Sequence, residues 1–380
     1  MTNSSRKNIK VSVKNSDDLI QIVSDDDVIE VYIQSPVASN KIRVDFAAWF
    51  FLPIAMRSNA DLTIDGCGSA KTIENALKMS QIWETWMPLR FNSVNVNFSQ
   101  LCDDDEHKLA SDNLCFYSGG VDSTYSLIKR QQQGKVQSLL TIHGMDYRYD
   151  DEKRFLELVK KTKCFSEKYG SENIFIKTNV YKEYDKYKIN TRTSHVSHIF
   201  SLTGSAFIFS EHFSSITIAA DYRIDQQFVV HPWGSNSATN RLFSDGSTLL
   251  ETDGDDVTRS DKMPLLLTSQ EALKSLSFCV DYSQRPNNCG QCAKCMRTKL
   301  MFFASTGSVP DIFLTKEIES NPLESIDFTK KSERTFFIDL FSCAKANDRI
   351  MDMPFLEPAY EKLKQIDLIS STRSTKDQVE

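Results

Sequence analysis

The spacing of apolar and polar positions changes along the chain, and the change divides it. Through residues 1 to about 110, the pattern predicts strands near Val11, over Val28 to Gln34, at Leu62 to Ile64 and at Ser93 to Phe98. Helical spacing intervenes over Phe46 to Met56 and Ala70 to Trp86. This mixture reads as an α+β accessory domain without a chemical motif of its own. Cys67, in Asp65-Gly-Cys-Gly68, reads as a lone turn cysteine.

From about Asn113 the order becomes strand, glycine turn, helix, strand. Strands are predicted at Leu114 to Tyr117, Val136 to Ile142, Ile174 to Thr178 and Ile216 to Ala220. Helices are predicted at Asp122 to Gln131, Phe155 to Tyr169 and His195 to Phe213. That alternation implies an α/β fold, a parallel sheet with helices on both faces. Residues Asp221 to Asp261 are rich in Gly, Ser, Asn and Asp and read as loops bordering a site. After about Gly307 the chain turns polar and helical, with Phe336 to Cys343 its most amphipathic stretch, and a tail expected to fray follows Ser370. Three regions result: 1–110, 111–306 and a helical extension over 307–380.

Length permits this, since 380 residues suit one large α/β domain with additions or two to three domains. The polar start MTNSSRKN carries no secretory pattern, and the longest apolar run, Phe46 to Met56, is too short to span a bilayer. A cytoplasmic, reducing location and no membrane partner are therefore expected. Net charge is −6, from 45 basic and 51 acidic residues, which argues against nucleic acid as the main partner. The lysines between Lys153 and Lys188 are interleaved with acids such as Glu157 and Glu167, as on a solvated helix surface.

Two constellations carry chemistry. Ser118-Gly-Gly-Val-Asp-Ser123 lies between a strand and a helix, where adjacent glycines let backbone N–H groups crowd around an anion at a helix N-terminus. Gly119 and Gly120 leave room for phosphate oxygens. Ser118, Ser123 and Thr124 offer hydroxyl donors, and Asp122 is placed to orient Mg²⁺. The same residues would also serve as ordinary helix caps. The loop lacks the Gly-Lys-Ser/Thr of a Walker A motif and the spacing of a dinucleotide fingerprint. The second constellation is Cys279-x9-Cys289-x2-Cys292-x2-Cys295, four of the nine cysteines, enough for a closed tetrahedral Zn²⁺ site. An iron–sulfur cluster, a catalytic thiol or unrelated buried cysteines are the competing readings.

The SGGVDS loop resembles that of the PP-loop ATP pyrophosphatases, a superfamily with an adenine nucleotide alpha hydrolase-like fold. It includes asparagine synthetase, GMP synthetase, tRNA thiolases and 7-cyano-7-deazaguanine synthase. The resemblance implies that Ser118, Gly119, Gly120, Val121, Asp122, Ser123 and Thr124 bind the pyrophosphate end of ATP with Mg²⁺. It also places the adenine near His143 and Gly144 at the end of the second strand. Catalytic roles fall to Asp122, Ser123 and Lys262. With Lys262 before an apolar helix and Arg297 after the cysteine cluster, the chain is similar to 7-cyano-7-deazaguanine synthases over about residues 113 to 305. Those enzymes use ATP and ammonia to turn a carboxylate into an amide and then a nitrile, and their cysteines hold zinc. Some related proteins are associated with bacterial anti-phage operons, where the activated acid is joined to a protein. The segment His231-Pro-Trp-Gly-Ser-Asn236 departs from the family's substrate loops, so the acceptor stays open between a small-molecule and a protein carboxylate.

Further candidates border the loops: Arg192, His195 and His198 near the start of a helix, Asp221 and Asp225 after the fourth strand, then Trp233, Asp253, Asp255 and Arg259. His195 and His198 lack a nearby third ligand, Arg259 and Lys262 suit either triphosphate or a solvated helix start, and Trp233 suits either base stacking or loop packing. The expected activity is ligase-like, with a tRNA thiolase or a non-catalytic nucleotide-binding subunit as the other classes. The amino-terminal block is expected to receive a partner or acceptor.

Overall fold

The computed structural model describes residues 6–35, 37, 39, 42–102, 112–189, 196–318, 322–324 and 326–365. The strands are β1 (Lys7–Asn15), β2 (Leu19–Val23), β3 (Val28–Ile33), β4 (Ala60–Gly68), β5 (Val96–Leu101), β6 (Asn113–Phe116), β7 (Ser138–His143), β8 (Asn173–Thr178), β9 (Ser215–Ala219) and β10 (Leu249–Asp253). The first helices are α1 (Asp45–Ser58), α2 (Ala70–Trp86), α3 (Val121–Gln132), α4 (Glu152–Tyr169), α5 (Val180–Lys186) and α6 (Ser197–Phe207). They are followed by α7 (Ile224–Val230), α8 (Ser237–Asn240), α9 (Arg259–Leu267), α10 (Gln270–Ser275), α11 (Ala293–Thr306) and α12 (Lys331–Ala346).

All ten strands form one mostly parallel sheet, flanked by helices, in the order β10-β9-β6-β7-β8-β3-β2-β1-β4-β5. From β10 to β8 every pairing is parallel. At the middle of the sheet β3 pairs antiparallel with β8, through Val31 with Thr178 and Ile33 with Ile176. The strands read as an accessory block therefore continue the same sheet. Two of the described strands escaped the sequence analysis: β2, five residues between acidic turns, and β10, inside a stretch read as loop.

The chain divides into two compact units, Met1–Asp221 with Pro232–Asp255 and Tyr222–His231 with Asp256–Glu380. The first contains the sheet. Its core centres on α1, where Phe46 to Met56 is buried on every face, so this helix is apolar all round instead of amphipathic. Phe50 of α1 fills the space over Gly204 of α6, where an added Cβ would lie 2.6 Å from its ring. Trp49 meets Phe243 edge-on at 4.9 Å. A buried polar knot closes the same region: the Arg43 guanidinium donates to Asp45 Oδ2 at 3.0 Å and to the Asp245 carbonyl at 2.6 Å. Asp45 in turn accepts from the Ser69 backbone at 2.9 Å. Buried charge persists only when paired in this way.

Cys67 departs from its reading as a lone turn cysteine. It lies in β4 and forms a disulfide with Cys102, 35 residues on, so the chain is not all thiol as a reducing compartment led us to expect. No helix among the described residues is long and apolar enough to cross a membrane.

The second unit is helical. Here α9 packs on α11, and α12 packs on α7, α9 and α11. Phe336 of α12 stacks on Tyr222 at 4.8 Å and receives the Arg297 guanidinium at 4.0 Å, while Arg297 pairs with Glu333 at 3.0 Å.

Candidate functional site

The glycine turn Ser118–Gly120 leaves the carboxyl end of β6 and enters α3. Gly119 has φ +73°, a left-handed conformation that a side chain disfavours, and Gly120 is the extended cap residue before α3. The first amides of a helix find no acceptor within it, so those after Gly120 point toward whatever lies before the helix. Ser118 is exposed, Asp122 is half-buried in the first turn of α3, and the Ser123 hydroxyl donates to the Gly120 carbonyl at 3.2 Å. Val121 and Thr124 are buried in the first turn of α3. The arrangement can receive an anion: backbone donors and a helix dipole converge on an open turn.

Sheet order adds a second argument. Among the five parallel strands, β6 comes first in the chain and lies between β7 and β9, with β8 and β10 outermost. The strand order therefore reverses at β6, and ligands of open α/β sheets bind outside the carboxyl ends at such a switch point.

The neighbouring strand end is built differently from its sequence-level picture. The His143 ring is buried, stacks on Phe155 at 4.4 Å, and bonds through Nε2 to the Arg148 carbonyl at 2.7 Å. Burial holds its pKa below the ordinary imidazole value, so the ring is a neutral strut for the turn after β7. Gly144, φ +106°, passes so close to β8 that a Cβ would stand 1.9 Å from the Thr178 carbonyl oxygen. What this end offers a ligand is backbone, not imidazole.

Asp221 follows β9 and Asp253 ends β10, where Lys129 of α3 reaches it at 3.7 Å. Trp233 and His198 belong to the same unit. Arg192 and His195 lie outside the described residues. Lys262 and Arg259 belong to the second unit: Lys262 is buried inside α9, not ahead of a helix, and Arg259 begins it. The helix starts earlier than expected because Thr258 caps it, its side chain accepting from the Asp261 backbone.

The four cysteines converge. Cys279, Cys289, Cys292 and Cys295 bring their sulfurs within 4.8 Å of one another, with Cys279 and Cys292 at 3.8 Å. Four sulfurs bonded at ~2.3 Å to one tetrahedral ion would stand about 3.8 Å apart. This set can therefore hold a single metal ion such as zinc. A multi-iron cluster would hold its thiolates wider apart, and a closed set of four leaves no position for substrate chemistry.

Local sequence explains the convergence. Gly290, φ +83°, turns the chain between Cys289 and Cys292 where a Cβ would meet the Thr315 carbonyl at 2.2 Å. The turn aims the N–H groups of Gln291 and Cys292 at Cys289 Sγ, both at 3.3 Å. Cys292 then caps α11, placing its sulfur at the positive end of the helix. Arg285 Nε donates to the Cys279 carbonyl at 2.6 Å, and buried Asn288 accepts from the Phe278 backbone at 3.0 Å, which fixes the segment carrying Cys279. A hydrogen bond from Cys295 draws the Cys292 thiol below the ordinary range, whereas burial pushes Cys279 above it.

No protein-family model matches the chain, and no curated protein matches it. The second unit also holds a cleft of about 360 Å³ that Arg223, Asp225, Asp261 and Asp339 line. Arg223 is already paired with Asp225 at 2.7 Å, so the remaining charge is acidic and has the wrong sign for phosphate.

Proposed function

We propose that this chain is an ATP-dependent, ligase-like enzyme that transfers AMP to a carboxylate and then joins a nitrogen nucleophile to the activated acid. The observation that carries the reading is the glycine turn at the carboxyl end of β6, where the order of the parallel strands reverses. Such a turn grips the outer phosphates, which makes pyrophosphate the leaving group. An acceptor carboxylate oxygen attacks the α-phosphorus, the bond from that phosphorus to the bridging oxygen breaks, and pyrophosphate departs. A nitrogen nucleophile next attacks the acyl carbon, loses a proton and expels AMP, leaving an amide.

In this reading the backbone amides after Ser118 hold the β- and γ-phosphates, the Ser118 hydroxyl adds a donor, and the Ser123 hydroxyl joins it by releasing the Gly120 carbonyl. Asp122 would hold Mg²⁺, which supplies charge neutralisation on the phosphates. The four cysteines take a structural zinc, and the cytoplasm supplies ATP.

The test is to incubate the protein with Mg-ATP and candidate acids and identify by mass spectrometry what acquires AMP. An acyl adenylate, or an amide when ammonia is present, is expected. ATP turnover with no change in any acid across aromatic, aliphatic and protein carboxylates would contradict the ligase reading.

A further inference from the structure

The cleft of the second unit pairs acidic with apolar side chains. Asp339 of α12 is buried in its wall, where Oδ2 accepts from the Ser260 backbone at 3.0 Å. Asp261 of α9 lines it as well, with Oδ2 accepting from the Thr258 backbone at 3.1 Å and from the Thr258 hydroxyl at 2.8 Å. Arg223 is the one basic residue among those that line the cleft, and it is bound at 2.7 and 2.9 Å by both oxygens of Asp225. The charge of Asp261 and Asp339 therefore sets the sign of the cleft. Burial raises the pKa of Asp339, a cost that a cation entering beside it would offset.

Beside this charge the fold leaves apolar side chains in solvent. Val229 of α7 and Ile338 of α12 line the cleft at 52% and 43% exposed, and Phe228 continues the apolar surface along α7 at 74%. These are not the packing side of α7, which buries Gln227 and Val230. Apolar surface rimmed by polar groups marks a contact site, and here the sign of the charge selects the occupant. Nucleic acid and anionic membranes carry phosphates that the acids repel. A second copy in two-fold contact would set the acids of one patch against those of the other. A small molecule lodged in the cleft would leave Phe228 bare, whereas a helix lying along the groove between two packed helices covers all three apolar residues.

We propose that the groove between α7 and α12 docks an amphipathic helix of a partner protein, whose apolar face meets Phe228, Val229 and Ile338 and whose lysine or arginine side chains reach Asp261 and Asp339. The groove lies wholly within the second unit. Its role is recruitment, not chemistry, so it does not rest on the adenylation reading above.

The experiment titrates the full-length protein with a blocked peptide of lysine and leucine at helical spacing, and with its glutamate and leucine counterpart. The double variant Phe228→Ser/Val229→Ser and the single variant Asp261→Asn are compared with the parent. Both serines replace exposed residues, and asparagine keeps an oxygen that can accept from Thr258; thermal melts establish that each variant is folded. The lysine peptide should bind the parent and the glutamate peptide should not. Truncating an interface anchor weakens binding by about tenfold or more, so the double variant should lose at least that factor. Asp261→Asn should lose less and flatten the salt dependence of binding. Failure of the parent to bind the lysine peptide overturns the proposal, as does equal affinity in the double variant or equal binding of the glutamate peptide. If the double variant does not fold, Asp261→Asn decides alone, and parent-like affinity and salt dependence overturn the proposal. Dimerisation of the parent that the double variant abolishes would assign the face to a second copy and likewise overturn it.

Discussion

Removing metal from the four-cysteine site is expected to unfold the second unit, not to leave a folded but inactive protein. The sulfurs of Cys279, Cys289, Cys292 and Cys295 lie within 4.8 Å of one another in a segment with little regular structure. Four thiolates at that spacing repel one another unless a cation sits among them. The unfolded chain has no such site, so the free energy of binding is free energy of folding, on the order of 10 kcal/mol for structural zinc. A whole domain is stable by only about 5–15 kcal/mol, so a zinc ion bound there would account for most of what is available. Elemental analysis should find about one zinc per chain. A strong chelator, or Cys292→Ser, should abolish the cooperative thermal transition of the helical unit. A metal-free protein that remains folded and turns over ATP would refute the structural role.

Asp122→Ala is expected to lower turnover by ~10²- to 10³-fold, the cost of losing one electrostatic stabiliser of a transition state. Asp122 is the second residue of α3, half-buried, one place beyond Val121 and the cap residue Gly120. From there a carboxylate can hold Mg²⁺ against the phosphates gripped by the turn. Steady-state kinetics at saturating Mg-ATP should show the loss in kcat in a variant that still unfolds in one cooperative thermal transition. Parent-like kcat would remove Asp122 from the chemistry.

Local chemistry was legible and long-range pairing was not. Helix α2 runs from Ala70 to Trp86 as its spacing predicts, because Ser69 caps it and its buried residues, among them Ala76, Met79 and Trp83, recur every three or four positions. The strand before the glycine turn and the helix after it were readable for the same reason. The cysteine cluster could be read because two-residue gaps bring sulfurs together within one turn of chain. By contrast, nothing near Val31 or Thr178 announces that β3 and β8 will pair across almost 150 residues, so residues 1–110 read as a separate domain. Their strands share the sheet, and α1 packs on α6, so a truncation before Ser111 would strip β8 of a neighbour and bare the Phe50 side of Gly204. The disulfide to Cys102 and the bond between Asp221 and Trp233 are also products of tertiary folding. Each residue was visible, but its partner was not.

In the proposed adenylation the turn after β6 makes pyrophosphate the leaving group. The most direct measurement is product analysis of α-labelled ATP incubated with the protein, Mg²⁺ and an acid that it accepts. Labelled AMP, released with one equivalent of pyrophosphate, is the expected product; labelled ADP as the sole product would contradict the account.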